Sequence, residues 1–296
     1  MGSNLVLNLI EHGHEVVGFN RTSEVTKEFV KQVKNKKLFI PVYSHEGLVS
    51  NLKAPRVVWI MVSAGAAVDE NISALVPYLD KGDVIIDGGN SNFKDSQRRA
   101  QELGKKGIYF LDVGTSGGIS GARHGACLMI GGEKKIFERL KGVFRAVAVK
   151  EGFSYIGESG SGHFVKMVHN AIEYGIMQAI GEGFELLERG PYKNLDLAEV
   201  AKVWNHGSVI RGWLMELAES ALKKDPKLDK IEDYVEDSGE GRWSVLTAIE
   251  NNVPLDLAAF SLFNRFRSRQ ADSFSLKLLA ALRAEFGGHK VKSKEK

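Results

Sequence analysis

The stretch Ser154-Tyr-Ile-Gly-Glu-Ser-Gly-Ser-Gly-His-Phe-Val-Lys-Met-Val-His-Asn-Ala-Ile-Glu-Tyr-Gly175 joins two kinds of chain. Before it, short β-branched runs alternate with helical patterns, the signature of βαβ units and a mainly parallel sheet. The runs predict strands over 15–19, 56–62, 83–87, 108–113, 126–130 and 154–156, with helices such as 92–106 and 133–143 between them. After Gly160 the strand signal stops, and the apolar residues recur with helical period over 164–189, 197–204, 209–223, 245–251 and 255–265. The expected architecture is therefore an α/β domain over residues 1–157, followed by an all-α domain over 158–296. The glycine-rich Gly157-Glu-Ser-Gly-Ser-Gly162 marks the boundary, and the helix that follows is placed to face a cleft.

That helix carries Lys166, His169, Asn170 and Glu173 at positions i, i+3, i+4 and i+7. The spacing stacks a lysine, an imidazole, an amide and a carboxylate along one stripe, bordered by Phe164, Val165, Met167, Val168 and Ile172. Such a group on a rigid support can do acid–base chemistry. An amphipathic helix with its charges in water has the same spacing, and periodicity does not separate the two.

Composition removes some classes. The 296 residues carry a formal charge of only +3, which points to neither nucleic acid nor an acidic membrane surface. The one cysteine, Cys127, cannot form an intrachain disulfide, lies in the apolar run Ala126-Cys-Leu-Met-Ile130 and is expected to pack in a strand. No apolar run reaches membrane-spanning length, and Met-Gly-Ser-Asn-Leu-Val at the start lacks the marks of a secretory or myristoylation signal. A cytoplasmic protein is expected, with no metal site, and the basic run over 290–296 reads as a solvated end.

Parallel sheets bind ligands at the carboxyl ends of their strands. Three predicted strand ends suit a dinucleotide: Asn20-Arg21-Thr22, Val62-Ser63-Ala64-Gly65 and Asp87-Gly-Gly-Asn90-Ser91. At the first, an acidic residue would bond the adenosine ribose and repel a 2′-phosphate. Asn20 and Arg21 stand there instead, which favours NADP and leaves NAD as the alternative. A solvated arginine and plain tight turns fit the same residues. The Gly-x-Gly-x-x-Gly fingerprint is missing. Gly2 has the place of its last glycine, ahead of a helix over 3–12 and the strand over 15–19. The native chain is accordingly expected to start about a dozen residues earlier, since losing a central strand would cost on the order of a whole domain's ~5–15 kcal/mol.

The segments Asp87-Gly-Gly-Asn-Ser91, Phe110-Leu-Asp-Val-Gly-Thr-Ser-Gly-Gly118, Met129-Ile-Gly-Gly132, Gly162-His-Phe-Val-Lys-Met-Val-His-Asn170 and Ile172-Glu-Tyr-Gly175 together resemble the decarboxylating 6-phosphogluconate dehydrogenase family. Trp204-Asn205, Gly239-Glu-Gly-Arg-Trp243 and Phe286-Gly-Gly-His289 are similar to its shorter bacterial form. The resemblance implies a Rossmann-type domain followed by a helical one, with NADP as hydride acceptor and 6-phosphogluconate as substrate. It implies that Lys166 takes the proton of the C3 hydroxyl and that Glu173 protonates C1 after carbon dioxide leaves. Burial would lower the pKa of such a lysine and raise that of such a carboxyl, and two helical turns separate the pair by about 10 Å.

By the same matching, Asn90, Ser116, Gly117, Gly118, His169 and Asn170 would contact substrate, with Asn90 beside the nicotinamide. Tyr174 and Arg265 match phosphate ligands, and Arg283 and His289 match a C-terminal pair that reaches into a neighbouring subunit, implying a homodimer or homotetramer. Gly2, Asn20, Arg21, Thr22, Val62, Ser63 and Ala64 would line the cofactor. Two positions depart from the long enzymes: Ser238 and Glu240 replace a lysine and a threonine that help bind phosphate, and a glutamate repels phosphate. Rival readings are another β-hydroxyacid dehydrogenase of the 3-hydroxyisobutyrate type, which lacks the need for His169 and Glu173, and a non-catalytic NADP- or nucleic-acid-binding protein using the basic Arg265-Phe-Arg-Ser-Arg269.

Overall fold

A computed structural model describes residues 1–292 and divides the chain into two compact units, Met1–Asn170 and Ala171–Lys296. The first opens with α1 (Gly2–Glu11), β1 (Val16–Phe19), α2 (Ser23–Gln32), β2 (Phe39–Val42) and α3 (His45–Ser50). It continues through β3 (Val57–Ile60), α4 (Ala66–Leu75), β4 (Val84–Asp87) and α5 (Phe93–Gly104). Then come β5 (Tyr109–Ser116), α6 (Gly118–His124), β6 (Ala126–Gly132), α7 (Lys134–Val147) and β7 (Ala148–Gly157). The long helix α8 (Ser161–Arg189) starts in this unit.

The sheet has two parts. β1 and β2 pair in parallel, and β3-β4-β5-β6-β7 form a second sheet that is parallel except between β5 and β6. Among the described residues no strand joins β1 to β3, so each keeps one edge without a ladder partner. Period-two alternation sends Val84, Ile86, Leu111 and Val113 to one face, where Leu5 of α1 and Ile136, Phe137, Leu140 and Phe144 of α7 cover them. Ile85 and Phe110 point the other way, onto Val68, Ile72 and Leu75 of α4 and Leu103 of α5. Helices on both faces of a mainly parallel sheet are the expected doubly wound arrangement.

The structure departs from the expectations at several places. Cys127 does lie in β6, but its thiol is exposed: it sits at the start of the strand opposite Ser116, while its neighbour Leu128 takes the covered face. β2 was not predicted, because Phe39-Ile-Pro-Val42 has only four residues and a proline, which normally demotes a strand. The helix expected from residue 209 begins at Trp213, since Val209 is 99% exposed and Gly212 is extended, its N–H donating to Asn205 Oδ1.

The second unit contains α9 (Leu197–Asn205), α10 (Trp213–Lys224), α11 (Glu240–Glu250), α12 (Asp256–Ser268) and α13 (Phe274–Gly287). Asp196 and Ser273 cap α9 and α13 by accepting from Glu199 N and Leu276 N. α13 was not predicted as an element; none of its residues is buried. The loop before α11 is tied down by Asp237, whose buried carboxylate accepts from Arg242 Nε at 2.6 Å and Arg269 Nη1 at 2.7 Å. These guanidinium groups, Arg242 first, hold its pKa down at about 2. No helix among the described residues is long and apolar enough to cross a membrane.

Replacing Phe144, fully buried between Trp59 and Phe137, by alanine is expected to cost about 3–5 kcal/mol in urea unfolding, whereas Cys127→Ser should stay within about 0.5 kcal/mol. Because Asp237 titrates lower in the folded chain than in the unfolded one, its contribution is full above about pH 4 and is lost as pH falls towards 2. Asp237→Asn should therefore lower stability by roughly 2 kcal/mol at pH 7 and by far less at pH 2, read from denaturation curves at both.

Candidate active site

On α8 the polar stripe points inward. Lys166 is 5% exposed and Asn170 9%, while the apolar Phe164, Val168 and Ile172 are 37%, 37% and 60% exposed. A wet amphipathic face would show the opposite, so the solvated reading of this stripe fails in its first two turns. Lys166 Nζ donates to Asn170 Oδ1 in a short hydrogen bond and lies 3.4 Å from His169 Nδ1. His169 Nδ1 is 3.0 Å from the same amide oxygen, and Nε2 is 3.1 Å from Ser116 Oγ. With its proton on Nδ1, His169 donates to Asn170 Oδ1 while Nε2 accepts from the Ser116 hydroxyl, and the 3.4 Å approach of Lys166 Nζ is then a contact between two donors that share the Asn170 oxygen. Glu173 follows on α8, half-buried.

Ser116 ends β5, and the chain leaves it through Gly117 at φ 114° and Gly118 at φ 60°, left-handed values that residues with a Cβ rarely adopt. Beside them Asn90, itself at φ 54°, clamps the last part of the strand. Its Oδ1 accepts from Thr115 N at 2.8 Å and its Nδ2 donates to Thr115 O at 3.0 Å. One amide thus matches both backbone groups of a single residue, Thr115, and fixes the Asn90 turn to the Ser116 turn.

The Asn90 turn is held from below by residues that the sequence reading passed over. Asp87, fully buried, accepts from Gly89 N at 3.0 Å, Ser91 Oγ at 2.7 Å and Arg99 Nη1 at 3.2 Å. Arg99, 1% exposed, continues to Asp69 Oδ1 at 2.8 Å and Gly65 O at 3.0 Å, and these bonds hold the Asp69 carboxyl below its usual pKa. The turns after β3 and β4 are therefore joined through one guanidinium. An arginine in the polar pattern of α5 resembles any surface charge, and its partner Asp87 lies 12 residues away.

Except for Gly2, the residues expected to hold a dinucleotide lie at the carboxyl ends of β1, β3 and β4, where exposed small and turn-forming side chains leave room for one. Asn20 Oδ1 accepts from Thr22 N at 2.9 Å, an Asx turn that leaves Arg21 and Thr22 exposed after β1. Ser63 and Ala64 are exposed after β3 with Val62 half-buried, and a Cβ on Gly65 would meet nothing within 4 Å. Gly2 is the first residue of α1, whose opening has no side-chain cap, so its leading N–H groups suit an anion.

A second group belongs to the other unit. Tyr174 is 4% exposed; its hydroxyl accepts from Ser238 N at 3.1 Å and lies 3.4 Å from Ser238 Oγ. The Arg265 guanidinium stacks 3.5 Å from the centre of the Tyr174 ring and donates to Glu236 O at 3.0 Å. Glu240 is buried in the first turn of α11. Arg283 and His289 are exposed, with the His289 ring edge-on to Phe286.

Comparison with known proteins also divides the chain in two, with the boundary at the start of α8 and so earlier than the Asn170–Ala171 split. Residues 1–157 match the family model described as the NAD binding domain of 6-phosphogluconate dehydrogenase, and residues 162–296 match that of the enzyme's C-terminal domain. The Bacillus subtilis protein YqeC is 47% identical over 300 residues, covering 99% of this chain and 97% of that one. An NAD(+)-dependent, decarboxylating 6-phosphogluconate dehydrogenase of Haloferax volcanii is 44% identical, covering 100% and 96%. Among solved structures, the Plasmodium falciparum 6-phosphogluconate dehydrogenase, studied in apo form and with NADP+ or 6-phosphogluconate, superposes with a TM-score of 0.85 at 35% identity. The match takes in all of this chain, which spans 65% of that enzyme's length. With both family models matched in order along its length and relatives above 40% identity end to end, the chain belongs to the 6-phosphogluconate dehydrogenase family.

Proposed function

We propose that this chain oxidises and decarboxylates 6-phosphogluconate to ribulose 5-phosphate and carbon dioxide. The observation that carries the reading is the buried Lys166, bonded to Asn170 and backed by His169 and Ser116 at the end of β5. A bound NADP, or NAD in its place, would supply the hydride acceptor, held by Gly2, the turn Asn20-Arg21-Thr22, Val62, Ser63, Ala64 and Asn90. Exposed Arg21 supports NADP, while the name of the Haloferax relative keeps NAD in the comparison.

Lys166 as a neutral amine accepts the proton of the C3 hydroxyl when hydride leaves C3. Asn170 and His169 orient it and, with Asn90 and the Ser116-Gly117-Gly118 turn, hold the hydroxyls and carboxylate of the substrate. The β-keto acid loses carbon dioxide, and Glu173 returns a proton to C1 of the enediol. Tyr174 and Arg265 take the phosphate, joined by Arg283 and His289 from a neighbouring subunit. Ser238, already bonded to Tyr174, stands where the long enzymes carry a lysine, so phosphate here leans on Arg265. Residues 1–157 serve as the cofactor domain and 158–296 as the substrate and oligomerisation domain. The homodimer or homotetramer this needs is supported by α13, whose Phe274, Leu278, Leu282 and Phe286 are 47–79% exposed. A single free cysteine suits a cytosolic location.

The test is the absorbance of reduced nicotinamide with 6-phosphogluconate, NADP against NAD; no turnover with either overturns the proposal. Lys166→Met should lower the rate of hydride transfer about 10²- to 10⁴-fold with substrate binding still measurable by calorimetry, and near-normal turnover would remove Lys166 as the base. Glu173→Gln should slow incorporation of solvent deuterium at C1 of the pentulose more than it slows oxidation. An unchanged rate of labelled product would take Glu173 out of the mechanism.

A further inference from the structure

Helix α8 must be held still if Lys166 is to meet one hydroxyl, and its first turn is held by a residue on the sheet. Asp112 of β5 is fully buried. Its Oδ1 accepts from Gly160 N at 2.7 Å and its Oδ2 from His163 N at 2.9 Å. Gly160 precedes the first residue of α8 and His163 is the third, so both donors lack an acceptor inside the helix. In a capping box two side chains of the helix's own sequence serve these two positions. Gly160 has no side chain to offer, and the His163 ring is engaged elsewhere, with Nδ1 2.7 Å from Ser96 Oγ of α5. One carboxylate from the sheet does both tasks, at the positive end of a 29-residue helix.

The setting argues that the charge itself has a use. Asp112 stands in ladder register with Asp87 of β4, which is also fully buried, and like charges side by side in a sheet repel. Asp87 has Arg99 as its counter-group; for Asp112 that place is taken by the end of α8. The helix is also pressed onto the strands where no side chain intervenes. A Cβ on Gly162 would lie 2.5 Å from Asp112 O and 2.4 Å from Met129 O. On Gly131 it would lie 2.7 Å from Asp112 Oδ1, and on Gly114 2.4 Å from Lys166 Cβ. Asp112, Gly114 and Ser116 alternate along one face of β5, and they meet α8 at its cap, at Lys166 and at His169 in turn.

We propose that Asp112 is the positioning residue of the reaction: by anchoring Gly160 and His163 it sets the axial placement and rotation of α8 on β5, and so the place of Lys166 Nζ. It acts through the helix and not on the substrate. The proposal rests on the reading of Lys166 as base, and the two are tested separately.

The full chain is compared with Asp112→Asn, Asp112→Ala and Gly131→Ala, the last of which crowds the same carboxylate from the neighbouring strand. Turnover is measured with 6-phosphogluconate and with its C3-deuterated form, scaled to active sites counted by binding of the reduced cofactor. Misplacing the base should lower kcat about 10- to 100-fold in Asp112→Ala and less in Asp112→Asn, which keeps one acceptor. KM should stay within about threefold, and the deuterium effect on kcat should rise as hydride transfer becomes slower than product release. A role in folding alone would reduce the count of active sites and leave kcat per site and the isotope effect at their normal values, and that result overturns the proposal. Should Asp112→Ala fail to fold, Asp112→Asn and Gly131→Ala decide by the same two readouts. Turnover persisting in Lys166→Met would refute the base; inactive Lys166→Met beside normal Asp112 variants would refute only the positioning role.

Discussion

The contact on which the first unit's reactive groups depend is the bare backbone surface of β5 against α8. A helix normally stands off a sheet by the thickness of two side-chain layers, and here Gly114 removes one of them beneath Lys166. The lysine stem therefore lies on the strand itself, and its amine meets Asn170 and His169 at the strand's carboxyl end. Close packing of this kind transmits small shifts, because an interior at crystal-like density has little room to absorb them. The strand ends here serve as a ruler: whatever fixes β5 fixes the stripe.

Buried charge is the second constraint. Asp87 and Arg99 form an ion pair almost without solvent, and such pairs add little net stability compared with apolar residues of the same shape. Removing one member is another matter, typically costing about 3–5 kcal/mol because the remaining charge is stranded. The pair is better understood as geometry. Arg99 holds Gly65, Asp69 and Asp87 together, and Asn90, in a left-handed conformation that strains a non-glycine residue, is kept there between Asp87 below and Thr115 beside it.

Much of this was legible in the sequence, for physical reasons that can be named. Strands such as Val84–Asp87 are short, β-branched and bounded by turn residues, and most of the helical half has a clear 3.6 period, so these element types are legible, whereas α13, with no buried residue, and the short, proline-bearing β2 are not. The stripe on α8 was visible as a pattern, yet its direction was not: periodicity says which residues share a face and is silent on which face is covered. Asp112 and Arg99 were missed for a related reason. Each is a charged residue in an otherwise ordinary strand or helix, and its meaning comes from partners 48 and 12 residues away that no local pattern connects. Cys127 misled because an apolar run implies burial only where a helix lies over it.

The stacking of Arg265 on Tyr174 has a consequence for recognition by the second unit. Tyr174 is pinned by Ser238 at its hydroxyl, by Ser261 Oγ donating to its carbonyl at 3.0 Å, and by Gly241, where a Cβ would come within 2.6 Å of the ring. Arg265 inherits that stillness, with one nitrogen already spent on Glu236 O. The rotamer freedom of a long cationic arm, about 2 kcal/mol for arginine, is thus surrendered when the chain folds rather than when an anion arrives. Any anion that meets this guanidinium finds a plane already oriented, so the arm itself selects by shape before charge.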